Sequence, residues 1–286
     1  MTPETVRVFV GCDPNDCDLE QMMVLEHSLR KRASLPVDIC WMRLSRDRRS
    51  PWYSDPGASG EGWQTQRWAT PFSGFRWAVP HCCGFEGRAI YMDADMIVLC
   101  DIAELWRQPI EPPAAFIARK EAGFQRFCVM LWDCAAAREL LPSFDSMRAD
   151  PALHLRLLSW FAQHPRHVQA MDPAYNNIDG EHQPIERIRI LHYSDMRTQF
   201  SHPRALERLR HEGRAHWFDG KTLEHPRRDL AALFQAEYEQ ALAAGRHPDQ
   251  YRAPLFGDFP KKSERGHKGN AVTRSQLWLR RIGFGP

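Results

Sequence analysis

The segment Ile90-Tyr91-Met92-Asp93-Ala94-Asp95-Met96-Ile97-Val98 joins two apolar runs across a pair of carboxylates. The first run, Arg88-Ala89-Ile90-Tyr91-Met92, is short and rich in β-formers, and predicts a buried strand that stops at Asp93. In α/β sheets ligands bind beyond the carboxyl ends of strands, so Asp93 and Asp95 fall where a site is expected. Two carboxylates in apolar surroundings repel each other and lose hydration unless a cation lies between them. A hard divalent cation, completed by phosphate oxygens of a substrate, is the usual solution. The competing reading is two surface-turn aspartates between core strands. For a triplet this short, taken alone, that reading stands first.

Working outward, the order is that of a nucleotide-binding α/β domain. Val6 to Gly11 reads as a buried strand, Asp13-Pro14-Asn15-Asp16 as a turn, Asp18 to Arg32 as a helix with one buried face, and Val37 to Met42 as the next strand. Ser50 to Trp68 lacks a period and carries Trp52, Tyr53, Trp63 and Trp68. It is a long loop or flap, either stacking on a ligand as a lid or pinned to the core. Thr70 to Val79 reads as helical. After the triplet, Asp101 is placed to cap a short helix, Phe116–Ala118 and Phe127–Trp132 read as strands, and Ala135–Leu141 and Leu153–Gln163 as helices. Arg187 to Leu191 alternates with period two and ends at His192, and Leu230 to Ala244 is a late helix. With no internal repeat, the expectation is one domain over 1–225 and a helical extension with a basic tail over 226–286.

Composition excludes several classes. Hydrophobic residues make up 43% and charged residues 26% of 286, which fits a folded enzyme and not a disordered chain. A net charge of +2 gives no global case for nucleic acid. Lys261 to Arg281 is locally basic, and with Trp278, Leu279, Ile282 and Phe284 it suits either an anionic membrane surface or a solvated end. No signal-like start or membrane-length apolar run is visible, so the expected location is cytoplasmic, with peripheral contact at the inner face of a membrane as an option. The eight cysteines form no C-x-x-C pair and read as reduced, buried, small hydrophobes, Cys82-Cys83 included.

Taken with its surroundings, the triplet resembles the signature of glycosyltransferase family 8: Tyr91, Asp93 and Asp95, then Asp101-Ile102-Ala103-Glu104-Leu105-Trp106. Thr70, Phe75-Arg76 and Pro80 fit the same pattern upstream, as does Phe9-Val10-Gly11-Cys12-Asp13-Pro14-Asn15 at the first strand. The resemblance covers roughly the first half of the chain and implies a GT-A fold: a single Rossmann-like mixed α/β sheet flanked by helices. It also implies a Mn²⁺ or Mg²⁺ ion and a UDP-sugar donor whose hexose passes to a saccharide, lipid-linked or protein acceptor with retention of configuration. Asp93 and Asp95, with the intervening Ala94, would hold metal and donor. Arg76 would bridge the Asp93 neighbourhood to the donor, and Asp13, Asn15 and the backbone at Gly11-Cys12 would contact base and ribose. His192, followed by Tyr193, would be the third metal ligand, with a structural strand-end histidine as the alternative.

The pattern then breaks. Where the family carries a lysine after that histidine, this chain has Thr198, and Arg197 offers the charge one residue out of register. Gln125-Arg126-Phe127-Cys128 replaces Phe-Asn-x-Gly. Asp172-Pro173-Ala174-Tyr175-Asn176-Asn177 keeps the aspartate and asparagine of the family's segment beside the reacting carbon but loses the glutamine between them. Asp172 and Asn177 are therefore candidates near the transferred sugar, with turn formation as the equal alternative. Two other readings of the chain follow: a nucleotide-sugar-binding relative with eroded catalysis, and a haloacid-dehalogenase-like phosphatase with Asp93 as nucleophile. The phosphatase reading is the weaker, because there the motif opens the domain.

Overall fold

The computed structural model describes residues 4–257, except 56, 58, 59, 67, 122 and 123. The basic segment beyond Lys261 lies outside them. In chain order the elements are β1 (Val6–Gly11), α1 (Leu19–Arg32), β2 (Val37–Met42), β3 (Ser54–Asp55), β4 (Glu61–Gly62), α2 (Val79–Cys82), β5 (Arg88–Asp93) and β6 (Met96–Val98). There follow α3 (Ile102–Trp106), β7 (Phe116–Glu121), β8 (Phe124–Asp133), α4 (Phe144–Ala149), α5 (Leu153–Gln163), β9 (Val168–Ala170), β10 (Asn177–Ile178), β11 (Ile190–His192), α6 (His202–His211) and α7 (Arg228–Ala243).

A six-stranded mixed sheet runs β2-β1-β5-β8-β7-β9. β1 is parallel to both β2 and β5, with Gly11 opposite Met42 on one side and Asp93 on the other. β8 runs antiparallel to β5 and β7. Side chains alternate across a strand, and the two faces of the sheet sort accordingly. Val8, Val10, Ile90, Met92, Val129 and Leu131 pack with Met22, Leu25 and Leu29 of α1. Phe9, Ala89, Tyr91, Phe127, Met130 and Trp132 face an aromatic layer with Trp63, Trp77 and Phe161. A second sheet, β10-β11-β6, stands apart from the first. The chain crosses between the two sheets at Ala94-Asp95, so the acidic triplet occupies their junction.

The helix expected over Thr70–Val79 is shorter than its pattern. A 3-10 turn spans Phe75–Ala78 and runs into α2. Ser73 Oγ accepts from the Thr70 backbone N–H at 2.9 Å, a local bond that competes with helix. Ala135–Leu141 is a series of turns, capped by Asp133 at Ala136 (3.1 Å) and stopped by Pro142, whose ring disfavours helix in the residue before it. The alternation over Arg187–Leu191 yields strand only at Ile190–His192, because β6 and β10 offer three and two residues for pairing. Asp101 does cap α3, accepting from Ala103 N at 3.0 Å.

The aromatic loop is pinned. Trp63 is 0% exposed, Trp52 and Tyr53 6% and Trp68 3%. Trp52 stacks on Trp63 at 5.9 Å and packs on Phe75 at 4.6 Å, contacts that each contribute about 0.5–1.5 kcal/mol beyond burial. Gly74 permits this packing, since a Cβ there would sit 2.4 Å from the Trp68 ring. The cysteines are free thiols, with Cys12, Cys17, Cys100 and Cys134 buried. The expectation fails for Cys82, which is exposed at the end of a one-turn helix. Among the described residues no helix is long and apolar enough to cross a membrane. The segment after 226 packs back on the body: Glu237 of α7 pairs with Lys31 and Arg32 of α1, and Tyr251 joins the main core.

Candidate active site at the sheet junction

Period two puts Tyr91 and Asp93 on one face of β5, so the Tyr91 hydroxyl reaches and donates to Asp93 Oδ1. The same oxygen accepts from Arg76 Nη2 at 3.1 Å, and the guanidinium lies 4.8 Å from the Tyr91 ring centre. Arg76 is held by the Ser73 carbonyl at 2.7 Å and by that of Phe127. A buried cation thus steadies a buried carboxylate through one oxygen, and among the described residues Asp93 Oδ2 makes no hydrogen bond.

The small sheet supplies the other wall. β11 lies antiparallel to β6 with His192 opposite Met96, which brings the imidazole to the triplet. His192 Nε2 stands 3.2 Å from Asp95 Oδ1, and Gln199 Nε2 donates to Asp95 Oδ2 at 2.7 Å. Burial opposes charging the ring, but Asp95 and then Cys128 outweigh it and raise the His192 pKa well above its ordinary value. His192 Nδ1 is buried and makes no hydrogen bond. From β8, Cys128 completes the cluster. Asp93, Cys128 and His192 each offer one ligand atom, and the three atoms lie within 4.8 Å of one another. With an open carboxylate oxygen on Asp93 and an open ring nitrogen on His192, the donor set fits a divalent cation.

The neighbouring loop after β1 has spent most of its polar groups on protein partners. Gly11 must lack a side chain, since a Cβ would meet Phe72 at 2.8 Å and the Tyr91 hydroxyl at 2.9 Å. Cys12 is buried, and its N–H donates to Met42 O at 3.0 Å. Asp13 Oδ1 accepts from the N–H groups of Asn15 (2.7 Å) and Cys17 (3.1 Å), and Asp13 N donates to Asp18 Oδ2 at 2.8 Å. The Asn15 amide is bonded both ways to the Gly257 backbone, at 2.7 and 3.0 Å. Burial first, then mutual repulsion, holds the Asp18 carboxyl well above its usual range, and burial raises that of Asp13.

The structure therefore brings Arg76, Asp93, Ala94, Asp95 and His192 together, with Gly11, Cys12 and Asp13 alongside. The other sequence candidates sit elsewhere or are engaged. Arg197 is exposed and forms a two-point pair with Asp195, the nearer contact 3.0 Å. Asp172 is exposed and caps a 3-10 turn, accepting from Ala174 N at 2.9 Å. Asn177 is buried and donates to Glu181 at 3.0 Å. Cys128 and Gln199 were missed. The signal for Cys128 was the broken Phe-Asn-x-Gly motif, while nothing local marks Gln199.

A cavity of about 50 Å³ opens at the triplet, walled by Asp13, Phe72, Asp95, Gln199, His216 and Trp217. A larger one, about 470 Å³, lies beyond the carboxyl end of β2 between Trp41, Arg43 and Tyr251, with no triplet residue on its wall. Chemistry and not size marks the site. Asp93 and Asp95 line the smaller cavity.

Similarity to known proteins fits this geometry. In structure the chain is similar to the apo form of the bifunctional glycosyltransferase WbbM, with TM-score 0.52 and 14% identity, over 72% of this chain and 50% of that one. It is similar to the glycosyltransferase GlyE of Streptococcus pneumoniae at TM-score 0.51 and 13% identity, over 84% and 64% of the two chains. It is also similar to the galactosyltransferase LgtC in complex with donor and acceptor sugar analogs, at TM-score 0.52 and 10% identity, over 82% and 96%. The fold is thus the GT-A fold, a mixed sheet flanked by helices. It leaves the dehalogenase-like reading without structural support. In sequence, 101 residues are 37% identical to protein CDI of Arabidopsis thaliana, a match that spans only about a third, 35%, of either chain. No protein-family model matches the chain.

Proposed function

We propose that the chain is a metal-dependent glycosyltransferase of the family 8 type, taking a hexose from a UDP-sugar to a saccharide, lipid-linked or protein acceptor with retention of configuration. The observation that carries this reading is the convergence, at the carboxyl edge of β5 in a GT-A fold, of Asp93 and His192, each with an open ligand atom, and of Asp95, paired to His192 at 3.2 Å. Asp93, Asp95 and His192 would hold Mn²⁺ or Mg²⁺, which supplies charge stabilisation for the departing diphosphate. Arg76 fixes Asp93 through Oδ1, leaving Oδ2 to turn toward a ligand. Gln199 and His192 fix Asp95. Both aspartates are thus oriented before any donor arrives, which lowers the reorganisation that binding requires.

A 50 Å³ cavity is far below the roughly 300–1,000 Å³ of small-molecule sites. Donor entry therefore requires Met196, Gln199, His216 and Trp217 to withdraw, and their return would exclude water. Asp172 and Asn177 are proposed to border the sugar. Their present engagement as a turn cap and a Glu181 partner favours the second reading, a nucleotide-sugar binder with weakened transfer. One assay separates the two. Donor hydrolysis and thermal stabilisation by UDP-sugars are measured with and without Mn²⁺. A transferase shows both; a binder shows Mn²⁺-dependent stabilisation with no turnover; neither effect in any donor sinks both readings. The body over 1–225 is proposed as the catalytic unit, with the segment from 226 as its brace.

A further inference from the structure

Cys128 has no place in an oxygen-and-nitrogen site for Mn²⁺, yet it stands inside the ligand cluster. Antiparallel pairing of β5 and β8 ends with Met92 opposite Val129, so Cys128 is carried to the level of Asp93. Its thiol lies within 4.8 Å of a ligand atom of Asp93 and one of His192. Arg76 donates to the preceding carbonyl of Phe127 and to Asp93, and so ties the strand that carries Cys128 to the Asp93 carboxylate. Cys128 packs against the main apolar core, but apolar packing alone does not account for its polar neighbours. Cys128 is half-buried and faces a carboxylate and an imidazole whose Nδ1 is buried without a partner.

We propose that Cys128 is itself a ligand of the cation, making the site a mixed oxygen, nitrogen and sulfur set that prefers a borderline ion such as Zn²⁺ over Mn²⁺ or Mg²⁺. The proposal rests on the reading that Asp93 and His192 hold a cation. Thiolate and imidazole together suit Zn²⁺ or Co²⁺, whereas carboxylate and water suit Mg²⁺ and Mn²⁺. Binding releases the thiol proton to solvent as the sulfur–metal bond forms.

The test uses the full chain, Co²⁺ as spectroscopic probe, and Zn²⁺ and Mn²⁺ in titrations. Wild type loaded with Co²⁺ shows thiolate-to-cobalt charge-transfer absorption, which Cys128→Ser abolishes and Cys82→Ser, the exposed-thiol control, retains. In the same variant Zn²⁺ affinity falls roughly tenfold or more, and Mn²⁺ affinity changes far less. Mapping of maleimide labelling in wild type needs no variant to fold: Zn²⁺ protects Cys128 and leaves Cys82 reactive. If wild type binds Co²⁺ without charge-transfer absorption, or keeps that absorption in Cys128→Ser, Cys128 is not a ligand and the cation site stands without it. If no divalent ion binds wild type, both the ligand role and the metal reading fall.

Discussion

Two acidic loops sit side by side at the carboxyl edge of one sheet, following strands paired with Gly11 opposite Asp93. They have been put to different uses. Asp13 and Asp18 each spend one oxygen on N–H groups of their own turn, and Asn15 spends its amide on Gly257. Asp93 is held through Oδ1 by Arg76 and Tyr91 and keeps Oδ2 free, while Asp95 is held through both oxygens by His192 and Gln199. Acidic residues at a strand end are common to both. An unspent ligand atom facing other unspent ligand atoms distinguishes the junction from the loop.

The comparison breaks most visibly if Asp95→Asn is active. If Asp95 holds the proposed metal, its removal forfeits several kcal/mol of charge stabilisation, and donor turnover should fall on the order of a thousandfold with loss of Mn²⁺-dependent stabilisation. Turnover within tenfold of wild type would put the chemistry elsewhere. Next, Arg76→Met leaves Asp93 buried beside Tyr91 without its cation, at a cost of about 3–5 kcal/mol read from urea midpoints. An unchanged midpoint would show that Asp93 is hydrated.

Acid should loosen the cover before the junction. Burial, then neighbouring His202 and Arg208, push His216 down to about 3. Burial, then Arg76, place His154 well below its ordinary value, and Trp77 Nε1 donates to its Nδ1 at 3.2 Å. A folded-state pKa depressed in a base means the unfolded chain takes up the proton first. Stability is therefore complete above the ordinary histidine value of 6.5 and falls as pH drops below it, by up to about 1.4 kcal/mol per pH unit for each group. His216→Asn should flatten that slope in pH-dependent melting, and an identical slope would exonerate His216.

Smaller effects probe the spent loop. Asp18 Oδ1 is buried without a partner beside Asp13, so Asp18→Asn should stabilise the neutral-pH fold by about 1 kcal/mol. Destabilisation would show that Arg43 needs that charge. Smallest of all, Asn15→Ala should leave UDP-sugar affinity unchanged within about twofold by calorimetry, since a net hydrogen bond of about 1 kcal/mol here is made to Gly257. A larger loss would return Asn15 to the donor site.

The pattern of residues alone determined β1, α1, β2, β5 and the cap at Asp101, because alternation, helical period and capping are local. It also marked Asp93 and Asp95, because a strand-end carboxylate pair is a short-range anomaly, while Arg76 and His192 were marked by the resemblance to glycosyltransferase family 8. Only tertiary structure decided that Ala135–Leu141 would stay a series of turns, that Trp63 would be buried rather than lie over a ligand, and that Cys128 and Gln199 would join the site. Those outcomes depend on strand register and on which distant side chain fills a given space. Asn15 and Asp95 look equally available in the sequence, and what separates them is the partner that folding delivers to each.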